Sequence, residues 1–407
     1  MNLKKITFLL FLIPFVVFAG EPAITFKLYG YVGNEFFYNS RQNIEMVDGS
    51  IMLFPKPVIM NALGKDANAV AQAELLSVNT RLGIDFTGTT PVLGAKPSAK
   101  IEADFAGFGT SFYVLRIRQA YTKLNWANTE LLLGQSWHPL FGNVAPNTPS
   151  ANGGAPFQPF NRSPQLRAKQ NLSKSLSVTL AALYEMQYAS MGVMGTSNVY
   201  MKNSLLPEFF LGLENKTTHW TLGAGGDVKT LKFNTGKLTS VSALAYGQYS
   251  NKLLTVKAKA VYGQNLSNQL MIGGYGVSAV NTITTDTTYT NFNTGTAWLN
   301  IVYGSKFQVS LLGGVTRNLG TADDLLLNTV SGKYTAFGYG FTAKSQTLVN
   351  SVYRFAPSVV YNLSNIRLSL EYDFTQAEYG SMNSKGMVDN PYKVHNNRIL
   401  ASVSYIF

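Results

Sequence analysis

The stretch "RILASVSYIF", residues 398–407, alternates in polarity down to the last residue. Ile399, Ala401, Val403, Tyr405 and Phe407 are apolar, and Arg398, Ser402 and Ser404 fall between them with period two, interrupted only by Leu400 and Ile406. A period of two places the first set on one face of a β-strand and the second on the other. Terminal residues usually fray in water, so a C-terminal aromatic held in register needs an apolar surface to meet it. The rest of the chain says what that surface is.

The same alternation runs upstream. In "LLSVNTRLGIDFTG", residues 75–88, Leu76, Val78, Thr80, Leu82, Ile84 and Phe86 share a face opposite Arg81 and Asp85. In "SLSVTLAALYEMQY", residues 175–188, Leu176, Val178, Leu180, Ala182, Tyr184, Met186 and Tyr188 do so. Runs of this kind predict strands near 24–39, 75–88, 98–107, 113–126, 130–138, 164–171, 175–190 and 205–216. A second set falls near 219–231, 237–250, 252–264, 291–303, 305–318, 346–361, 365–379 and 396–407, which makes sixteen. Short connections such as "NLSKS", "YSNK" and "YGSK" separate them from long ones near 40–74, 139–163, 265–290 and 319–345. No amphipathic helix of useful length interrupts the series.

At the other end, "MNLKKITFLLFLIPFVVFAG" carries Lys4 and Lys5, an apolar run, and Val17 and Ala19 at the spacing of a cleavage site. Residues 1–19 are expected to be a removed signal peptide, leaving 407 − 19 = 388 residues; the alternative, a buried or spanning helix, needs a longer run. The chain has no cysteine, so neither disulfides nor a lipid on cysteine hold it. Charged residues are 13% and aromatics 13%, where about 25% charge is usual for a soluble surface.

Long strands, alternation, low charge, and turns of alternating length together predict an all-β fold, a transmembrane antiparallel β-barrel of about 16 strands with long extracellular loops and short periplasmic turns. Residues 20–407 form this barrel. A sandwich or propeller would show shorter strands, more even spacing and a polar exterior. In the barrel the apolar set faces lipid and the polar set the lumen. Trp126, Trp137, Trp220, Trp298, Tyr303 and Tyr361 are then expected at the membrane interfaces, and Phe407 at the periplasmic rim of a last strand that pairs with the first.

Strand order, the long segment after the fifth strand and the terminal Phe407 resemble the trimeric general porins of the Gram-negative outer membrane. "FKLYGYVGNEFFYNSRQN", "AKIEADFAGFG", "LRIRQAYTKLNW", "LLLGQSWHPLFG", "PFQPFNRSPQLR" and "YRFAPSVVYNL" are similar to a group that includes dicarboxylate-type channels. Unlike in some of those channels, no helical extension is expected before the first strand. The resemblance implies an outer-membrane channel for small hydrophilic solutes, a homotrimer in outer-membrane lipid, and recognition of Tyr405 and Phe407 by barrel-insertion machinery.

Sixteen strands enclose a water-filled lumen unless a loop or plug fills it. Residues 139–163, rich in proline and glycine, form the candidate constriction loop; an ordinary surface loop is the alternative. Strand parity directs Arg81, Lys100, Arg116, Arg118, Arg167, Lys169, Lys229, Lys257, Lys259, Arg354, Arg367 and Arg398 inward on the basic side. On the acidic side it directs Asp85, Glu102, Asp104, Glu185, Glu214, Asp227, Glu371 and Asp373 inward. The constriction segment carries Arg162 and no Asp or Glu. An electropositive throat favouring anions follows if the arginines are free, and a stiffened wall without selectivity if they pair with those carboxylates.

Three scattered histidines, His138, His219 and His395, offer neither a nucleophile–base pair nor a metal cluster, so no enzyme, metal or cofactor is expected. "MIGGYGVSAV" lacks the Lys-Ser/Thr of a phosphate loop. Basic residues alternate with apolar ones instead of clustering, which argues against nucleic acid. The remaining rival is a barrel acting as an adhesin or as a subunit of a surface or export complex, for which the long loops and the Thr-rich "VNTITTDTTYTNFNTGT" would serve.

Overall fold

The computed structural model describes residues 24–107, 111 and 113–407; the expected signal peptide, 1–19, lies outside them. Sixteen strands close into an antiparallel barrel. They are β1 Ile24–Asn39, β2 in two pieces (Gln72–Leu76 and Arg81–Gly88), β3 Lys96–Asp104, β4 Arg116–Asn125, β5 Thr129–Trp137, β6 Arg162–Asn171, β7 Leu176–Leu183 and β8 Glu208–Lys216. The second half comprises β9 Trp220–Phe233, β10 Gly236–Ser250, β11 Leu254–Gln264, β12 Thr287–Gly304, β13 Phe307–Thr321, β14 Thr347–Leu363, β15 Ile366–Met382 and β16 Val388–Ile406.

Closure is made by β1 and β16, from Tyr31 opposite Ile406 to Asn39 opposite Arg398. Phe407 extends the ladder, exchanging backbone hydrogen bonds with Gly30 at 3.0 and 3.1 Å. Gly30 is required here, because a Cβ would stand 2.3 Å from the Arg81 carbonyl oxygen and 3.0 Å from the Phe407 ring. Ile399, Val403, Tyr405 and Phe407 are exposed on the outer face, while Arg398 and Leu400 are fully buried within. Leu400, which breaks the polar set in sequence, meets apolar groups inside the barrel.

The largest departures from the sequence expectation are three. The run 75–88 is broken by a turn, with the Thr80 amide donating to the Ser77 carbonyl. Leu76 and Val78 therefore turn inward and are buried, whereas Leu82 stays exposed outside. The strand expected over 175–190 ends at Leu183, and the chain then folds back through a short helix, Val199–Ser204. β16 begins at Val388, eight residues before the expected start. Two of the expected interfacial tryptophans also turn inward: Trp298 is buried, and Trp137 stacks on Phe141 at 4.0 Å. Trp220, Tyr303 and Tyr361 do face outward and are exposed.

Candidate functional site

The lumen is shaped by two inward loops. The segment between β5 and β6 leaves the wall at His138 and returns at Asn161, where the His138 amide donates to the Asn161 carbonyl at 3.0 Å. His138 Nδ1 accepts from the Leu140 amide, so Nε2 carries the proton toward Glu208, 2.9 Å away. Burial lowers the His138 pKa to about 4, which keeps the ring neutral. The loop then crosses to the far wall. Lys257 Nζ donates to the Ala145 carbonyl and to Asn147 Oδ1, at 2.9 and 2.8 Å. Lys259 Nζ donates to the Phe141 carbonyl, and Trp298 Nε1 to Gln158 Oε1 at 2.9 Å. Gly314 leaves room for Phe157, whose ring would lie 2.6 Å from a Cβ there.

The second inward loop follows β1. Residues Asn43–Met46 and Ile51–Pro55 form a hairpin turned by Asp48 and Gly49, both with positive φ. Met52, Leu53 and Phe54 are fully buried, and Ile51, Leu53 and Phe54 pack with Leu76, Val78, Val352, Ala377, Tyr379 and Leu400, each large apolar side chain contributing about 1.5–3 kcal/mol. Tyr379 donates to the Pro55 carbonyl at 2.7 Å and Arg398 Nη1 to the Gly49 carbonyl at 2.9 Å. At the hairpin's root Arg41 pairs with Asp66 at 2.7 Å. Partial burial opposes ionisation of Asp66, but hydrogen bonds from Arg41 and from the Asn68 and Ile59 amides outweigh it and lower the pKa.

One side chain ties both loops to the wall. Arg354 donates from Nη1 to the Ala155 carbonyl at 2.7 Å and from Nη2 to the Leu53 carbonyl at 2.8 Å. Its Nε faces Thr375 at 2.9 Å and Asp373 at 3.0 Å.

Between the loops and the wall lies a cavity of about 590 Å³, whose charged lining is Arg81, Arg116, Arg118 and Arg367 against Asp104. Ser402 and Ser404 of β16 and the loop residues Asn147, Thr148 and Ser150 contribute to its polar surface. Arg116 and Arg118 both reach Asp104 at 2.7 Å, and Arg118 also reaches Glu102 at 2.8 Å. A bulge between Glu102 and Ala103 sets this register. Arg81 and Arg367 form no ion pair among the described residues; Arg81 lies over the Tyr31 ring and Arg367 donates to Asn362.

The other sequence-selected residues sit elsewhere. Arg354, Arg398, Lys257 and Lys259 are loop anchors. Lys100 pairs with Asp85 at 3.0 Å and Lys169 with Glu214 at 3.5 Å. Lys229 is buried against Asn268, Asn265 and Ser190, with Glu185 at 3.7 Å. Arg167 stands on β6, apart from the cavity lining. Glu371 and Asp373 are buried on β15. Arg162 is the first residue of β6, fully buried, with its guanidinium 4.5 Å from the Trp137 ring centre and Nε bonded to Gln187. Sequence reading missed the inward hairpin; four consecutive apolar residues, Ile51–Phe54, just after an Asp-Gly turn were its signal.

Known structures share this architecture. The outer membrane channel DcaP of Acinetobacter baumannii superposes with a TM-score of 0.68 at 19% identity, over 96% of this chain and 99% of that one. The chain has the outer-membrane porin fold. An anion-selective porin from Comamonas acidovorans matches at TM-score 0.55 and 10% identity, over 94% and 100% of the two chains. Salmonella typhi OmpF matches at 0.54 and 12%, over 95% and 98%. No family model and no curated protein matches the sequence.

Proposed function

We propose that the protein is a non-enzymatic diffusion channel of a Gram-negative outer membrane, passing small hydrophilic solutes and favouring anions. The observation that carries this reading is the cavity inside the barrel, where four arginines face one aspartate. Counting Glu102, which pairs with Arg118, four arginines stand against two carboxylates, and Arg81 and Arg367 form no ion pair of their own among the described residues. A throat bordered by low-dielectric walls concentrates ions of the opposite sign. Residues 139–163 act as the constriction loop and bring no carboxylate to oppose that field. The superposed Comamonas porin is described as anion-selective, which agrees in direction.

Export by a cleaved leader over residues 1–19, homotrimer formation in outer-membrane lipid, and insertion directed by Tyr405 and Phe407 belong to the same reading. A superposed Vibrio cholerae outer membrane protein, OmpT, is described in a trimer form. The deciding experiment is the zero-current potential of reconstituted channels in a potassium chloride gradient. A potential of the sign set by chloride, larger at low ionic strength where the Debye length is longer, supports the proposal; cation preference there overturns it.

The apolar core that the hairpin builds inside the lumen favours a second reading, a sealed barrel serving as an adhesin or as a subunit of a surface or export complex. That reading requires bilayers without conductance steps.

A further inference from the structure

The extracellular ends of β9 and β10 are joined by the tightest of the upper connections, Asn234 and Thr235. Just below it the register places Lys232 opposite Lys237. Leu231, Phe233 and Leu238 point inward and are buried, and the two lysines between them point outward and are exposed. Like charges directly opposite across an antiparallel pair, with Cβ atoms about 5 Å apart, are destabilising. Neither lysine forms an ion pair among the described residues. The loop carboxylate near this tip, Asp286, is occupied by the Thr284 hydroxyl at 2.8 Å.

Height on the barrel says what surrounds this pair. Below Lys232 the outward positions of β9 are Thr230, whose hydroxyl meets that of Thr239, then Val228, Gly226, Ala224, Leu222 and, at the lower end, exposed Trp220. A strand tilted near 40° climbs roughly 2.5 Å per residue, so Trp220 to Lys232 spans roughly 30 Å, close to the ~25 Å apolar band plus one interface. On β13 the outward run Phe307, Val309, Leu311, Gly313 and Val315 meets exposed Arg317, one outward position below exposed Leu319. These cations therefore lie where the headgroups of the outer leaflet begin.

We propose that Lys232 and Lys237 form a binding site on the lipid-facing wall for the phosphate of an outer-leaflet lipid headgroup, with Arg317 in the same belt. Two ammonium groups held side by side by β-pairing can bracket one phosphate, and its charge removes their mutual repulsion. The acyl chains would lie along the apolar strip beneath. The site rests on the membrane setting proposed above but is independent of what crosses the lumen.

The test is titration of the detergent-purified full chain with bisphosphorylated lipid A, read by native mass spectrometry and by thermal unfolding. Wild-type protein should retain the lipid and melt at higher temperature with it. K232Q/K237Q should bind about thirtyfold more weakly and lose the thermal gain, while K232R/K237R keeps both. Equal retention and equal thermal gain in wild type and K232Q/K237Q overturn the proposal, as does an equal gain from inorganic phosphate or phosphatidylcholine. Conductance measured on the same samples separates this outcome from failure of the channel reading, since neither lysine borders the cavity.

Discussion

Replacing Arg354 by alanine should open the lumen. Its guanidinium holds the Ala155 carbonyl of one inward loop and the Leu53 carbonyl of the other. Hydrogen bonds from a charged donor contribute about 1.5–3 kcal/mol each, so losing two releases roughly 3–6 kcal/mol of loop attachment, a factor of about 10² to 10⁴ in the population of displaced loops. Asp373 would also be left buried without its partner, which adds a cost of about 3–5 kcal/mol. R354A/D373N removes that second effect and isolates the first. In planar bilayers both variants should show larger and noisier single-channel conductance than wild type, with the double variant the more stable to heat. Heat-modifiable migration in detergent checks that the barrel has formed. Conductance and noise identical to wild type in a folded R354A/D373N channel would refute the role of Arg354 as a loop anchor.

Deleting residues 43–55 should raise conductance further while leaving β-type circular dichroism intact; a channel of unchanged size means that the hairpin does not obstruct the path. R81Q/R367Q should move the zero-current potential toward cations more than R116Q alone does, because Arg116 is paired with Asp104 whereas the other two form no ion pair among the described residues; the reverse order refutes this assignment. Removing Phe407 should lower outer-membrane insertion with export unaffected, measured by membrane fractionation, since it costs the two backbone bonds to Gly30; unimpaired insertion makes the terminal pattern incidental.

The strands were legible because lipid imposes polarity alternation on one face, and a face that must meet hydrocarbon leaves a period of two in the sequence. Where that demand stops, the signal stops. The first part of β16, with Lys393, His395 and Asn397 on its outer face, rises above the apolar band, so its strand character does not show as alternation. The break in β2 was hidden because Leu76 and Val78 keep the apolar rhythm while pointing into the lumen. An apolar residue inside a porin-like barrel is unexpected until the hairpin that covers it is known. Parity found the inward charges, but the pairing of Arg118 with both Glu102 and Asp104 depends on a bulge that no periodicity reveals.

The lumenal cations divide by what their donors touch, and the division links shape to charge. Arg116 and Arg118 are paired with carboxylates, so their field is largely cancelled at a distance. Arg354 is half of this kind, through Asp373. Arg398, Lys257 and Lys259 instead donate to loop carbonyls. A carbonyl satisfies a donor without neutralising it, so Lys257, which forms no ion pair among the described residues, fixes the loop and still leaves positive charge inside the barrel, whereas Arg398 also faces the carboxylates of Glu35, Glu371 and Asp373. Carrying the loop on lysines lets one set of side chains set both the width of the throat and its sign. Lys257→Met should therefore loosen the loop at Ala145 and Asn147 and weaken chloride preference together, raising conductance as the zero-current potential falls. A variant that changes one of these readings and leaves the other at its wild-type value would show that width and charge are held by separate residues.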